Sequence, residues 1–419
     1  MDRSREVVIS GLGVVSPIGI GRDAFWKSLS EGRGGVRPLQ SFPAERMPVH
    51  FGAELLDFDP KQLVKPRKAL KVMCRELQTA FSAYALAAED AGLEPGQLPP
   101  HRVGTVFGGE MLYGDTDDFT DLYQACVRDG VFSQADFAQH FQSRMYPLWM
   151  LKNLPNMAAC HVAIAQDAQG PCNTIVSGDA SGLLALLEGV RLIDRGCVDL
   201  VIVGGTGTRV NLISWLFRGD INQSHRNDDP AGACRPFDAH RDGIVNGEGA
   251  AVLVLETRAS AEERGARILA RVRGSAQAVD AGNSAATRQT ALERLFRDTL
   301  ALSACEAADV GHVNAHGLST LEDDRIEATA IARVFGTTPV TALKSYFGHV
   351  GAGCGLLELA GSVLALEHDA IPATLNYTTA DPACPVQVVQ GEPLQNRPPC
   401  ALKVSMSSTG QVAAVLIDR

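Results

Sequence analysis

Nowhere in this chain do about 20 uninterrupted apolar residues follow one another, which argues against a membrane-spanning helix. A basic excess is missing as well. The formal net charge is −10, the opposite of the dense cationic footprint that a nucleic-acid surface needs. The first residues, MDRSREVVISGLGVV, carry charges and then a short apolar run broken by glycine, without a secretory cleavage pattern. They read as a first strand, and the expected location is the cytoplasm. Ten cysteines are present, but without the paired spacing of a metal site and partly in apolar contexts. Reduced core thiols are therefore expected, not a disulfide framework or a metal centre. The acidic run GDTDDFTD lacks the glycine and terminal glutamate of an EF-hand loop and reads as a solvated loop or helix start.

What the sequence does contain is a globular composition, 45% hydrophobic and 21% charged over 419 residues, enough for two halves sharing a large interface. Strand-like runs recur at 7–15, 103–108, 173–178, 200–205 and 250–255, with helical patterns between several of them. That alternation predicts a mainly parallel or mixed α/β sheet covered by helices. The charged, helix-prone stretch 256–266 follows the strand VLVLE, which places the divide between halves 1–255 and 256–419. An internal similarity supports two related halves. SGLLALLEGVRLIDRG (181–196) resembles CGLLELAGSVLALEHD (354–369), and each follows a polar, glycine-rich turn.

Three constellations carry chemistry. In TIVSGDASGLL (174–184) a strand passes through a sharp turn into a helix, with Asp179 at the turn, facing unsatisfied helix N–H donors. On this motif alone Asp179 reads most simply as a helix cap. VNAHGLST (313–320) places His316 between an apolar approach and a glycine. ALKSYFGHVGAGCGLLE (342–358) carries Lys344 and His349 ahead of the second repeat helix. Two histidines in glycine-bounded turns point to a convergent polar site.

With these stand GLGVVSPIG near the start, NMAACHVAIAQDAQGPCNTIVSGDASG, RPFDAHRDGIVNGEGAAVLVLE, VNAHG and KSYFGH, in that order. In order and spacing, over nearly its whole length, the chain resembles the β-ketoacyl synthases. The resemblance implies a thiolase-like α/β fold of two related halves in five αβαβα layers. It also implies a homodimer, or a heterodimer with a cysteine-containing synthase, acting on thioesters of acyl carrier protein. Phosphopantetheine then arrives on the carrier, and neither a metal nor a permanently bound cofactor is expected. The family's nucleophilic cysteine falls at Asp179, its two histidines at His316 and His349, and its lysine and glutamate at Lys344 and Glu358. Met111 matches a position lining the acyl pocket. Thr320 is retained from the pantetheine-contacting HGTST, in which Leu318 replaces one hydroxyl. SSTG (407–410), around Ser408, stands where a GFGG-like gate is usual. Lys65, Lys68 and Lys71, in KPRKALKVMCR, resemble the surface that meets acidic carrier protein, with Lys68, Lys71 and Arg75 at helical spacings that share one face.

Without a thiol at position 179 the usual thioester intermediate is not available. Ser177, Ser181 and Cys172 are neighbours in sequence, which does not supply attack geometry. The expectation is decarboxylation of a malonyl thioester without standard condensation, with His316 and His349 stabilising the enolate. The alternatives are a noncatalytic partner similar to a chain-length factor, and a condensing enzyme with an unusual aspartate-containing site.

Overall fold

The computed structural model describes residues 6–110, 116–282, 284–395 and 397–419. The first half contributes β1 (Val7–Ser16), α1 (Arg75–Ala91), β2 (Val103–Gly108), α2 (Met157–Gln166), β3 (Cys172–Ile175), α3 (Ser181–Asp194), β4 (Leu200–Thr208) and β5 (Glu248–Thr257). Its strands run in the spatial order β1-β5-β4-β2-β3. The pairings β1-β5 and β5-β4 are antiparallel, and β4-β2 and β2-β3 are parallel. Every residue of β1 is buried, as its nearly continuous apolar sequence requires of a strand covered on both faces. Gly13 shows why glycine interrupts it: a Cβ there would lie 1.9 Å from the Ala83 carbonyl oxygen of α1.

The second half contributes β6 (Ala270–Val279), α4 (Ala285–Leu302), β7 (His312–Asn314), α5 (Leu321–Phe335), β8 (Pro339–Thr341), α6 (Cys354–His368), β9 (Cys400–Met406) and β10 (Gln411–Asp418). Its order is β6-β10-β9-β7-β8, again two antiparallel pairings followed by two parallel ones. The two sets therefore repeat one another. They join where Val8 and Ile9 of β1 pair with Arg271 and Ala270 of β6.

The layers follow from where the apolar faces go. One cluster packs α1 and α2 on the first sheet, and another packs α4 and α5 on the second. Between the sheets lie α3 and α6, the two helices whose sequences resemble each other. A helix apolar on all sides must be buried on all sides. Every residue of α6 from Cys354 to Leu366 is buried, and Leu183, Leu186 and Leu187 of α3 are buried beside it. Five layers result, with the N-termini of both central helices beside the candidate site.

Among the described residues, no helix is long and apolar enough to cross a membrane. All ten cysteines are free thiols. The acidic run enters a helix, Asp117–Ala125, which packs with Gln134–Arg144 around a small core of Leu122, Cys126 and Met145.

The basic segment departs from expectation. Arg67–Val72 is a 3-10 helix, not the start of one long α-helix. Side chains three apart eclipse in that geometry, so Lys68 and Lys71 share an exposed face. Lys65 is exposed just before it. Arg75 leaves this face: its guanidinium lies 3.0 Å from Glu248 Oε1 and donates to the Leu55 carbonyl at 2.7 Å.

Candidate active site

The turn between β3 and α3 is built on Gly178, whose φ of +57° lies in the left-handed region. A Cβ there would come 2.6 Å from Ser407 Oγ, so glycine also lets the 407–410 turn approach. The Ser181 hydroxyl donates to the Gly178 carbonyl at 2.6 Å and accepts the Ser177 N–H at 2.8 Å. Ser181 is thereby engaged in holding the turn, and Cys172 is exposed at the start of β3. Asp179, buried to 8% exposure, does not cap α3. One carboxylate oxygen accepts from the Arg209 guanidinium, and the other stands 3.2 Å from His349 Nε2.

Arg209 was not legible as a site residue. It follows the buried, glycine-rich strand VIVGGTGT directly, and a cation delivered inward by such a strand was the available signal. It is 8% exposed and also lies 3.4 Å from Glu110, which pairs in turn with Arg218 at 2.8 Å. Burial alone would raise the Asp179 carboxyl, but Arg209 and then His349 outweigh it and hold the group well below the usual carboxylate range. Position 179 is an anion matched by a guanidinium.

Lys344, His316, His349 and Glu358 converge as their motifs suggested. Lys344 Nζ donates to Glu358 Oε1 at 2.6 Å, to the His316 carbonyl at 2.6 Å and to His316 Nδ1 at 3.1 Å. Lys403, a second residue missed in the sequence, reaches Glu358 Oε2 at 2.6 Å. Burial would depress the Lys344 ammonium, but Glu358 overrides it and raises it above its ordinary value. Glu327 accepts the backbone N–H groups of His316 and Gly317 at 2.6 and 2.8 Å, fixing the loop that carries the imidazole.

These contacts settle the tautomers. An ammonium has only protons to offer, so His316 Nδ1 is an acceptor and its proton sits on Nε2. His349 Nδ1 accepts the Gly351 N–H at 3.1 Å, so its proton is on Nε2 too. Burial, followed by the two lysines, holds the His316 imidazole well below its ordinary value, and burial with Arg209 lowers His349. Both rings are neutral donors. Ligand atoms of Asp179, His316 and His349 lie within 4.8 Å of one another, the spacing of a metal triad. The donor set does not fit a metal: both Nε2 atoms carry protons, and the carboxylate already faces a guanidinium.

A cavity of about 570 Å³ opens over this arrangement, lined among others by Asp179, Arg209, His316, Leu318, Met406 and Ser408. His316 Nε2 is fully buried and, among the described residues, has no hydrogen-bond partner. His349, 1% exposed, sits behind Asp179. Ser408 is exposed in the 407–410 turn and lines the cavity. The Thr320 hydroxyl donates to Asp323 Oδ2 at 2.9 Å, and from its loop His316 and Leu318 line the cavity. Met111 lies outside the described residues. A thiol does stand near, since Cys354 Sγ is 4.0 Å from His349 Nδ1, but burial pushes it up to about 12 and keeps it protonated.

A helix-terminal group facing two histidines across paired, five-layer α/β halves defines a protein of the thiolase-like class. Residues 4–261 match the beta-ketoacyl synthase N-terminal domain and residues 269–378 the C-terminal domain, so the chain belongs to the β-ketoacyl synthase family. It is 35% identical to the tetracenomycin polyketide synthase ketoacyl synthase alpha subunit of Streptomyces glaucescens, over 98% of this chain and 97% of that one. It is 33% identical to the 3-oxoacyl-[acyl-carrier-protein] synthase 2 of Synechocystis sp., over 93% and 92%. Among solved structures, the ishigamide ketosynthase/chain length factor superposes with a TM-score of 0.87 at 28% identity, covering 99% of each chain. The ketosynthase of AntDE:AntF, a type II polyketide synthase complex with acyl carrier protein, superposes at 0.84 and 26% identity, again over 99% of each.

Proposed function

We propose that this protein acts on malonyl thioesters of acyl carrier protein in polyketide or fatty acid synthesis, releasing carbon dioxide without forming an acyl-enzyme. The observation that carries this reading is His316 Nε2–H: buried, unpartnered, held in one tautomer by Lys344, and carried by a residue that lines the cavity. A thioester carbonyl oxygen placed there accepts that proton donor, whose interaction strengthens as the oxygen gains charge. The bond from the α-carbon to the carboxylate breaks and carbon dioxide leaves. Its electron pair forms the enolate, and a proton from water completes the acetyl thioester. His349 takes a different role from the one its motif implies. Its Nε2 faces Asp179, so it positions that carboxylate and His316 is the donor to substrate. One Asp179 oxygen accepts from Arg209 and the other lies 3.2 Å from His349 Nε2, surroundings that favour a charge-paired carboxylate over a nucleophile.

The test is carbon dioxide release from malonyl carrier protein without an acyl primer, with intact-protein mass spectrometry in parallel. Release is expected in the wild type, a loss of about 100-fold or more in His316→Ala, and no adduct on Asp179. A stable acyl adduct at Asp179 defeats the nonacylating reading.

A second reading, a partner subunit paired with a cysteine-containing synthase, is favoured by a separate observation. β3 ends its sheet with Cys172 and Asn173 exposed, beside Ile164 at 78% and Val176 at 56% exposure. An edge left uncovered by the described residues, with apolar neighbours, calls for a second chain. No carbon dioxide release at any pH at which the chain stays folded, together with co-purification of a synthase whose product length it alters, selects this reading.

A further inference from the structure

We infer that the Asp179–Arg209 pair is the specificity-determining floor of the cavity, and that the acyl group it admits is short and ends in a polar or charged group. This rests on reading the cavity as a carrier-thioester site. The lining combines apolar Leu318, Met406 and Val412 with the charged Asp179 and Arg209, and a carboxylate oxygen of Asp179 lies within 4.8 Å of a ring nitrogen of His316. Among the described residues, the space behind the pair is filled. Glu110 is 9% exposed, and a Cβ on Gly351 would meet Glu110 Oε1 at 2.0 Å and Arg209 Nε at 3.0 Å. A Cβ on Gly207 would lie 2.0 Å from the Val350 carbonyl oxygen, so backbone closes the far side.

An alkyl chain entering this site ends against two charges that have already lost most of their water, and it returns no hydrogen bond to either. A chain that pushes between them separates a buried ion pair, which is costlier still. A malonyl group meets the same floor differently. Its carbonyl oxygen accepts from His316 Nε2–H, and its carboxylate lies against a guanidinium edge. The same pair that removes the nucleophile thus sets what the cavity can hold.

The experiment compares binding of malonyl- and octanoyl-pantetheine analogues, with an amide in place of the thioester, by calorimetry to the wild-type chain and to the double variant Asp179→Ala/Arg209→Ala. The wild type is expected to prefer the malonyl analogue by about tenfold or more, and the double variant, with both charges gone, to prefer the octanoyl one. Equal or tighter octanoyl binding by the wild type overturns the inference, and this comparison needs no variant to fold. A folded double variant that keeps the malonyl preference overturns it as well. If bare pantetheine and both analogues fail to bind the wild type, the carrier-thioester reading itself falls, and the inference falls with it.

Discussion

Arg209 and Asp179 are not equivalent halves of their ion pair, and that asymmetry is measurable. Removing the guanidinium by Arg209→Met leaves the Asp179 anion buried at 8% exposure with only a neutral imidazole beside it, while Glu110 keeps Arg218. Stranding one member of a buried pair costs about 3–5 kcal/mol. Asp179→Asn leaves Arg209 and Arg218 sharing the single carboxylate of Glu110, but Arg218 is half-buried and keeps access to water, so the excess charge is partly solvated and the cost falls to about 1–3 kcal/mol. The double variant is expected to be less destabilised than the sum of the singles by about 1 kcal/mol or more, because neither stranded charge remains. Urea unfolding midpoints of the four proteins, analysed with a common slope, close the cycle. Singles that add to within about 0.5 kcal/mol, or Asp179→Asn costing more than Arg209→Met, refute this account of the pair.

Asp179→Cys places a thiol beside the Arg209 guanidinium and His349, surroundings that favour a thiolate, so acyl carrier thioesters are expected to leave a covalent adduct visible by intact-protein mass spectrometry. A folded variant that stays unlabelled with several chain lengths counts against preserved geometry. Reversing charge at Lys68 and Lys71, both exposed on the 3-10 turn, is expected to weaken carrier binding several-fold at low salt, with the effect fading as ionic strength rises and melting unchanged. Salt-independent binding in both proteins leaves those lysines as ordinary surface. Burial pushes Glu76 up to about 8 and Asp324 up to about 7. Both folded values lie above the unfolded ones, so their contribution is fully present below about pH 4 and is lost as pH rises through 7 and 8. Chemical stability should therefore fall between pH 5 and about 8.5, less steeply in Glu76→Gln and Asp324→Asn, and a flat wild-type profile counts against the assignment.

The sheet and its central helices were readable because their signals are local. A strand buried on both faces must be apolar nearly throughout, as β1 is, and a helix between two sheets must be apolar on every side, as α6 is. The resemblance of α3 to α6 followed from that shared environment. Lengths were less legible: the run at 173–178 ends as a strand at Ile175, because Gly178 turns the chain before the helix begins. The basic stretch at 65–75 carried an α-helical spacing that a 3-10 turn satisfies equally for Lys68 and Lys71, since residues three apart lie together in both. Arg75 was misassigned because its partner, Glu248, is 173 positions away.

The site divides along the same line. His316, His349, Lys344 and Glu358 sit in motifs that place each on a turn or central helix, and their convergence follows from the fold. Arg209 sits in no such motif, and what singles it out is the aspartate it meets at position 179. A thiol at a helix N-terminus needs no buried counter-ion when it is neutral, whereas a carboxylate buried to 8% exposure does. A buried carboxylate at position 179 therefore demands a counter-charge within reach. β4 supplies it by ending directly in an arginine whose side chain turns inward to the carboxylate. Reading position 179 alone leaves the charge state open between burial and the helix N-terminus. The guanidinium from a different strand decides it, and with it the tautomer-fixed histidine left facing the cavity.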